Sequence, residues 1–147
     1  MEREVIQSVG FRNTKEDGKV TGFQLKIRLP YYRGIFLSQI RPGTLIVDGE
    51  RFEKEDIVWN IKGEDYTMDE MKDNWRDVHW DVTCPAVLKV KKEGGLAQGY
   101  HDITYGFCFT SSYMPPMMQD HLDPDADPMF IMPEFGHHVN SRRLLIV

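Results

Sequence analysis

The sequence predicts an all-β fold: a β-sandwich, jelly-roll-like, with one short α-helix and a long Pro/Met-rich C-terminal segment. Three observations point there. Apolar and polar residues alternate with a period of two in several short segments, glycine-containing turn dipeptides separate those segments, and a single stretch carries the chemistry of a helix start. A chain of 147 residues makes about one domain and can bury roughly two thirds of the surface its unfolded form exposes. One domain over residues 1–147 is therefore expected.

Along the chain, Phe23, Leu25, Ile27 and Leu29 alternate with Gln24, Lys26 and Arg28, which places the apolar set on one face of a strand and the polar set on the other. Residues 44–47 are a short apolar run suited to a strand covered on both sides. Thr67 and Glu70 have the spacing of a capping box, Tyr66 can staple onto Met71 across it, and Met68, Met71 and Trp75 then share the inner face of a helix. Leu88 and Val90 alternate with Lys89 and Lys91, and Ile103, Tyr105, Phe107 and Phe109 alternate with Thr104, Gly106 and Cys108. Asp17-Gly18, Asp48-Gly49, Gly94-Gly95 and Gln98-Gly99 supply the tight connections.

From residue 110 to residue 136 the pattern stops. Pro115, Pro116, Pro124, Pro128 and Pro133 exclude a helix or a central strand. Met114, Met117, Met118, Met129, Phe130 and Met132 still need a dry environment. The segment is expected to be an extended loop that wraps its own sandwich or an interface segment that lies on another chain, a use that suits the adaptability of methionine. Residues 142–147, RRLLIV, can return as a final strand.

The composition excludes several function classes. A net charge of −5, with the basic residues dispersed, gives no dense basic face for nucleic acid. The charged first residues lack a signal-peptide pattern and no run reaches membrane-spanning length, so a cytoplasmic protein without a membrane is expected. Cys84 and Cys108 are too far apart for a zinc or dithiol motif, and both are expected to behave as small buried apolar groups.

Candidate chemistry is sparse. A metal site of the kind found in small β domains needs two histidines bracketing one residue plus a glutamate and a later histidine, and that arrangement does not occur. His137 and His138 are neighbours whose side chains diverge on an extended chain. His121 with Asp123, Asp125 and Asp127 has oxygen ligands at alternate positions, but prolines at 124 and 128 and the missing glycine and terminal glutamate favour a solvated acidic turn over a calcium loop. His101-Asp102 has the composition of an oriented base, yet adjacent residues of a strand face opposite ways, which favours a structural role. Ser111 and Ser112 have no nucleophile elbow around them.

The loop Pro30-Tyr31-Tyr32-Arg33-Gly34 differs in kind. Tyrosines offer a broad apolar face with a polar end, and arginine offers a planar donor; such groups gather where proteins meet, and they also suit aromatic or sugar ligands. The plainer alternative is an exposed turn with Tyr31 folded back on Leu29.

Several pieces in order, VTGFQLKIRLPYYRGIFLSQI from Val20, VDGE from Val47, YTMDEM from Tyr66, KKEGGLAQGYHDI from Lys91 and SYMP from Ser112, resemble the small, or β, subunit of the bacterial C-glycoside deglycosidases. The likeness spans roughly residues 11–115, and its specificity lies in joint order and spacing. It implies a two-component carbon–carbon lyase whose larger partner is a TIM-barrel protein similar to sugar isomerases and holds a divalent metal, manganese. The implied substrates are 3-oxo forms of plant flavonoid and isoflavonoid C-glucosides.

That chemistry is physically coherent. An aryl C-glycosidic bond has no leaving oxygen for an acid to protonate, so the carboxylate pair of ordinary glycosidases does not suffice. A ketone at C3 acidifies the C2 hydrogen, which permits β-elimination with metal stabilisation of the enediolate. The resemblance places metal ligands and general base in the larger partner, leaving no catalytic residue and no metal site expected in this chain. Arg28, Tyr31, Tyr32, Arg33, Tyr113, Met114 and Pro115 are the candidates, from their physical character, for contact with the partner or proximity to the substrate. The rivals are a non-catalytic carbohydrate- or partner-binding module and a standalone isomerase using His101 or the histidines near the C-terminus.

Overall fold

The computed structural model describes residues 5–29, 34–73, 78–109 and 140–146. Among them are thirteen strands: β1 (Arg12–Glu16), β2 (Lys19–Ile27), β3 (Ile35–Phe36), β4 (Ile40–Arg41), β5 (Leu45–Val47), β6 (Glu50–Phe52), β7 (Ile57–Ile61), β8 (Glu64–Tyr66), β9 (His79–Trp80), β10 (Ala86–Lys91), β11 (Gly99–Tyr105), β12 (Cys108–Phe109) and β13 (Asn140–Ile146). The one α-helix among these residues is α1 (Met68–Asp73). All named pairings are antiparallel.

Two sheets carry the fold. The first has the order β1-β2-β10-β7-β8 and the second β13-β11-β5-β6, with two-stranded ribbons β12-β4 and β3-β9 beside them. The chain passes between these sheets after β2, after β6 and after β10, and the architecture is the all-β one expected, with one short helix among the described residues. Phe23, Leu25, Ile27, Trp59, Leu88 and Val90 of the first sheet and Leu45, Val47, Ile103, Tyr105, Leu144 and Ile146 of the second are buried in a single core. Rings meet across it: Phe23 lies edge-on to Phe52 at 5.2 Å, and Trp59 contacts Trp80 at 5.6 Å, Phe107 at 6.0 Å and Tyr105 at 6.4 Å. Such aromatic pairs add about 0.5–1.5 kcal/mol each beyond the area they bury.

Local chemistry explains the joints. The hairpins β1–β2, β5–β6 and β7–β8 turn on Asp17-Gly18, Asp48-Gly49 and Lys62-Gly63, each with positive φ at both residues, the geometry that matches strand twist in two-residue loops. The capping box is formed: Glu70 N–H donates to Thr67 Oγ1 at 3.2 Å and Thr67 N–H to Glu70 Oε1 at 3.3 Å. Met71 is buried and Met68 half-buried. Trp75 lies outside the described residues, as does the whole 110–136 segment. The final strand is present as β13, beginning two residues before Arg142.

Three expectations need correction in detail. The alternation from Ile103 to Phe109 is not one strand: β11 ends at Tyr105, and β12 pairs with β4 in a separate ribbon, so Tyr105, Gly106, Phe107, Cys108 and Phe109 are all buried. Gln24 is not on an open polar face. The N-terminal segment runs along β2, with Gln7 N–H donating to the Lys26 carbonyl and Arg28 N–H to that of Val5, and Gln24 Nε2 reaches the Gly10 carbonyl at 3.4 Å. Cys108 is buried as expected, whereas Cys84 is only half-buried.

Candidate functional site

The described flank of the tyrosine loop is the small ribbon β3–β9, in which Ile35 pairs with Trp80 and Phe36 with His79. Trp80 anchors the ribbon in the core, and its Nε1 donates to the Cys84 carbonyl at 2.7 Å. His79 faces outward and is half-exposed. Its Nδ1 lies 2.8 Å from Asp81 Oδ1, and Lys62, at the β7–β8 turn, holds the other Asp81 oxygen at 2.9 Å. The Lys62 ammonium and, after it, His79 keep the Asp81 carboxyl below its usual range.

Gly34 closes the ribbon on the loop side. A Cβ there would lie 2.2 Å from His79 Cε1 and 2.7 Å from the Trp80 carbonyl oxygen, so the bare backbone lets this strand lie flat against the imidazole. With Phe36 edge-on at 5.1 Å and Asp81 on Nδ1, the ring is held in one orientation. Among the described residues Nε2 has no hydrogen-bond partner. A carboxylate on Nδ1 takes that nitrogen's hydrogen, and in the neutral ring Nε2 then carries a lone pair, the arrangement of an oriented base.

A second histidine–aspartate cluster sits at the opposite kind of site. His101 is buried under Phe11, and both of its nitrogens face acceptors: Nδ1 meets Asp48 Oδ2 at 2.5 Å and Nε2 meets the Ala97 carbonyl at 2.7 Å. Only the imidazolium can donate to both. Burial is the largest single influence on this ring and opposes its charge, but the Ala97 carbonyl and Asp48 together outweigh it and hold the pKa above the ordinary 6.5. Asp48 in turn also accepts from the Asp102 N–H at 2.8 Å; its pKa is depressed first by His101 and then by that N–H. Asp102 points the other way and pairs with Arg143 at 2.8 Å. His101 thus ties β11 to the β5–β6 turn and has no nitrogen left for a substrate proton.

Of the residues singled out from sequence, Arg28 is the one described. It follows β2, and its Nε is shielded from solvent with no hydrogen-bond partner among the described residues. Leaving such a donor unmet costs about 1–3 kcal/mol. Tyr31, Tyr32, Arg33, Tyr113, Met114 and Pro115 lie outside the described residues, as do Ser111, Ser112, His121, Asp123, Asp125, Asp127, His137 and His138. Among the described residues, no group of three or more His, Cys, Asp or Glu side chains could hold a metal ion. No helix among them is long and apolar enough to cross a membrane. Sequence reasoning missed His79. The signal was present in the i, i+2 spacing of His79 and Asp81, which puts both on one side of an extended chain.

Comparison with known proteins is consistent along the chain. The family model described as C-glycoside deglycosidase beta subunit matches residues 1–113. A protein of Eubacterium cellulosolvens named C-glycoside deglycosidase beta subunit is 68% identical over 148 residues, covering 100% of each chain. Proteins with the same name from Microbacterium trichothecenolyticum and Arthrobacter globiformis are 32% identical over 93 residues and 24% identical over 67; the matches cover 61% and 46% of this chain and 67% and 51% of those proteins. With a matching family model over most of its length and a relative alike from end to end, this chain belongs to the C-glycoside deglycosidase beta subunit family.

Proposed function

We propose that this chain is the accessory subunit of a two-component, cytoplasmic C-glycoside deglycosidase that breaks the carbon–carbon glycosidic bond of 3-oxo-C-glycosides, flavonoid or isoflavonoid C-glucosides among them, by β-elimination. The observation that carries this reading is the 68% identity with a relative of that name across both full lengths. A subunit name implies a companion. In this reading the companion is a TIM-barrel, sugar-isomerase-like chain that holds the divalent metal, manganese, and the general base.

This chain's own contribution is surface. Arg28, whose shielded Nε has no partner among the described residues, supports a contact that is completed on pairing, since a buried donor of a charged group is stabilised when an acceptor arrives. Tyr31, Tyr32, Arg33, Tyr113, Met114 and Pro115 join it in the proposed contact. Covering the mouth of the companion's pocket would exclude water and position the aglycone.

The test is a mixing experiment. The chain and its companion are expressed separately and together, and cleavage of a 3-oxo-C-glucoside is followed. Co-purification with activity only in the mixture is the expected result; full activity from either chain alone overturns the reading.

A further inference from the structure

We propose that His79, held by Asp81, is a binding site on this chain for a ring-borne hydroxyl group, with Nε2 accepting the hydroxyl's hydrogen bond beside the Phe36 ring. This goes beyond the accessory-subunit reading, because it assigns a ligand contact to the chain's own atoms. The argument is geometric. Asp81 faces Nδ1 at 2.8 Å and accepts its hydrogen; in the neutral ring Nε2 is then an acceptor whose ligand is a donor. Lys62 fixes the far oxygen of Asp81 at 2.9 Å, and the Gly34 backbone and Phe36 fix the plane of the imidazole. A half-exposed histidine so restrained loses little freedom when a ligand binds, which is what preorganisation contributes to affinity.

Among the described residues, the charged and titratable groups on the ring are Asp81 and, through it, Lys62 from the β7–β8 turn. Because the Lys62 ammonium already neutralises Asp81, the site carries no surplus negative charge beside a phenol hydroxyl. An aromatic neighbour on one side and an acceptor on the other suit a hydroxylated aromatic ring. A sugar hydroxyl presents the same donor, and the two sources are separated by experiment.

Full-length chain carrying 15N-labelled histidine is titrated with resorcinol in one arm and methyl β-D-glucoside in the other, and the ring nitrogens are followed by NMR. A saturable shift of His79 Nε2, with His101 silent because both its nitrogens are committed, is the expected result. Resorcinol acting alone assigns the site to phenols, the glucoside acting alone assigns it to sugars, and either upholds a hydroxyl site. His79→Gln should weaken binding by about tenfold or more. No shift of His79 in either arm overturns the proposal, and it does so without the variant, should the variant fail to fold. Failure of the mixing experiment would sink the accessory-subunit reading and leave this titration untouched.

Discussion

Two histidines of this chain each hold an aspartate through Nδ1, and they serve opposite ends. His101 is buried, donates from both nitrogens and joins β11 to the β5–β6 turn and the Ala97 segment. His79 is half-exposed and meets Asp81 with one nitrogen, while the other has no partner among the described residues. The difference lies in what surrounds the second nitrogen. A backbone carbonyl makes a histidine into a brace, whereas an open nitrogen restrained by its neighbours makes it available to a ligand.

The largest effect expected from this contrast is on stability. His101→Ala removes two hydrogen bonds of a charged ring and leaves the Ala97 carbonyl without its partner, so it should destabilise the fold by about 3 kcal/mol. His79→Ala breaks a pair in which both members are more than a third exposed, and it should cost under about 1 kcal/mol. Urea unfolding measures both. Equal losses would erase the distinction between brace and site.

The same contrast explains what was legible in the sequence. The strands holding residues 23–27 and 88–91 were readable because their apolar residues alternate into the core, and such a strand writes its period into the sequence. The helix was readable from Thr67 and Glu70. β1, RNTKE, has little buried surface to impose alternation, and Lys62-Gly63 turns a hairpin without the Asp-Gly or Asn-Gly spelling that marks the others. For the site, the opposite facing of strand neighbours set His101-Asp102 aside as a base, and the structure agrees; what the sequence did not show is that the ring's carboxylate comes from Asp48, 53 residues away. The pair at His79 and Asp81 was local, but its meaning depends on Gly34 and Lys62, which only the fold brings near.

A pH titration sharpens the brace. His101 has a folded pKa raised above 6.5, so its contribution is fully present below about pH 6.5 and is lost as pH rises through the folded value. Asp48 has a depressed pKa; its contribution is present above the unfolded value of about 3.8 and is lost as pH falls through the folded one. Unfolding free energy should therefore decline as pH rises above about 6.5 in the wild type, and the decline should shrink in His101→Ala. An identical slope above that pH in the two proteins would show that the raised ring is not what holds the β5–β6 turn.

The smallest expected effect concerns one proton. In Asp81→Asn the carboxamide oxygen can still accept Nδ1–H, but the amide can also turn and offer its N–H₂ to a bare Nδ1, which lets the His79 ring adopt the Nε2–H tautomer. The exchange should alter stability by less than about 0.5 kcal/mol, the scale of an exposed ion pair, while ring 15N shifts show a mixed tautomer. At His101 the corresponding Asp48→Asn leaves the Ala97 carbonyl demanding Nε2–H, so the proton on that nitrogen should stay whichever way the new amide turns. If Asp81→Asn leaves the His79 ring wholly in its Nδ1–H form, then Gly34 and Phe36, and not the carboxylate, set its orientation.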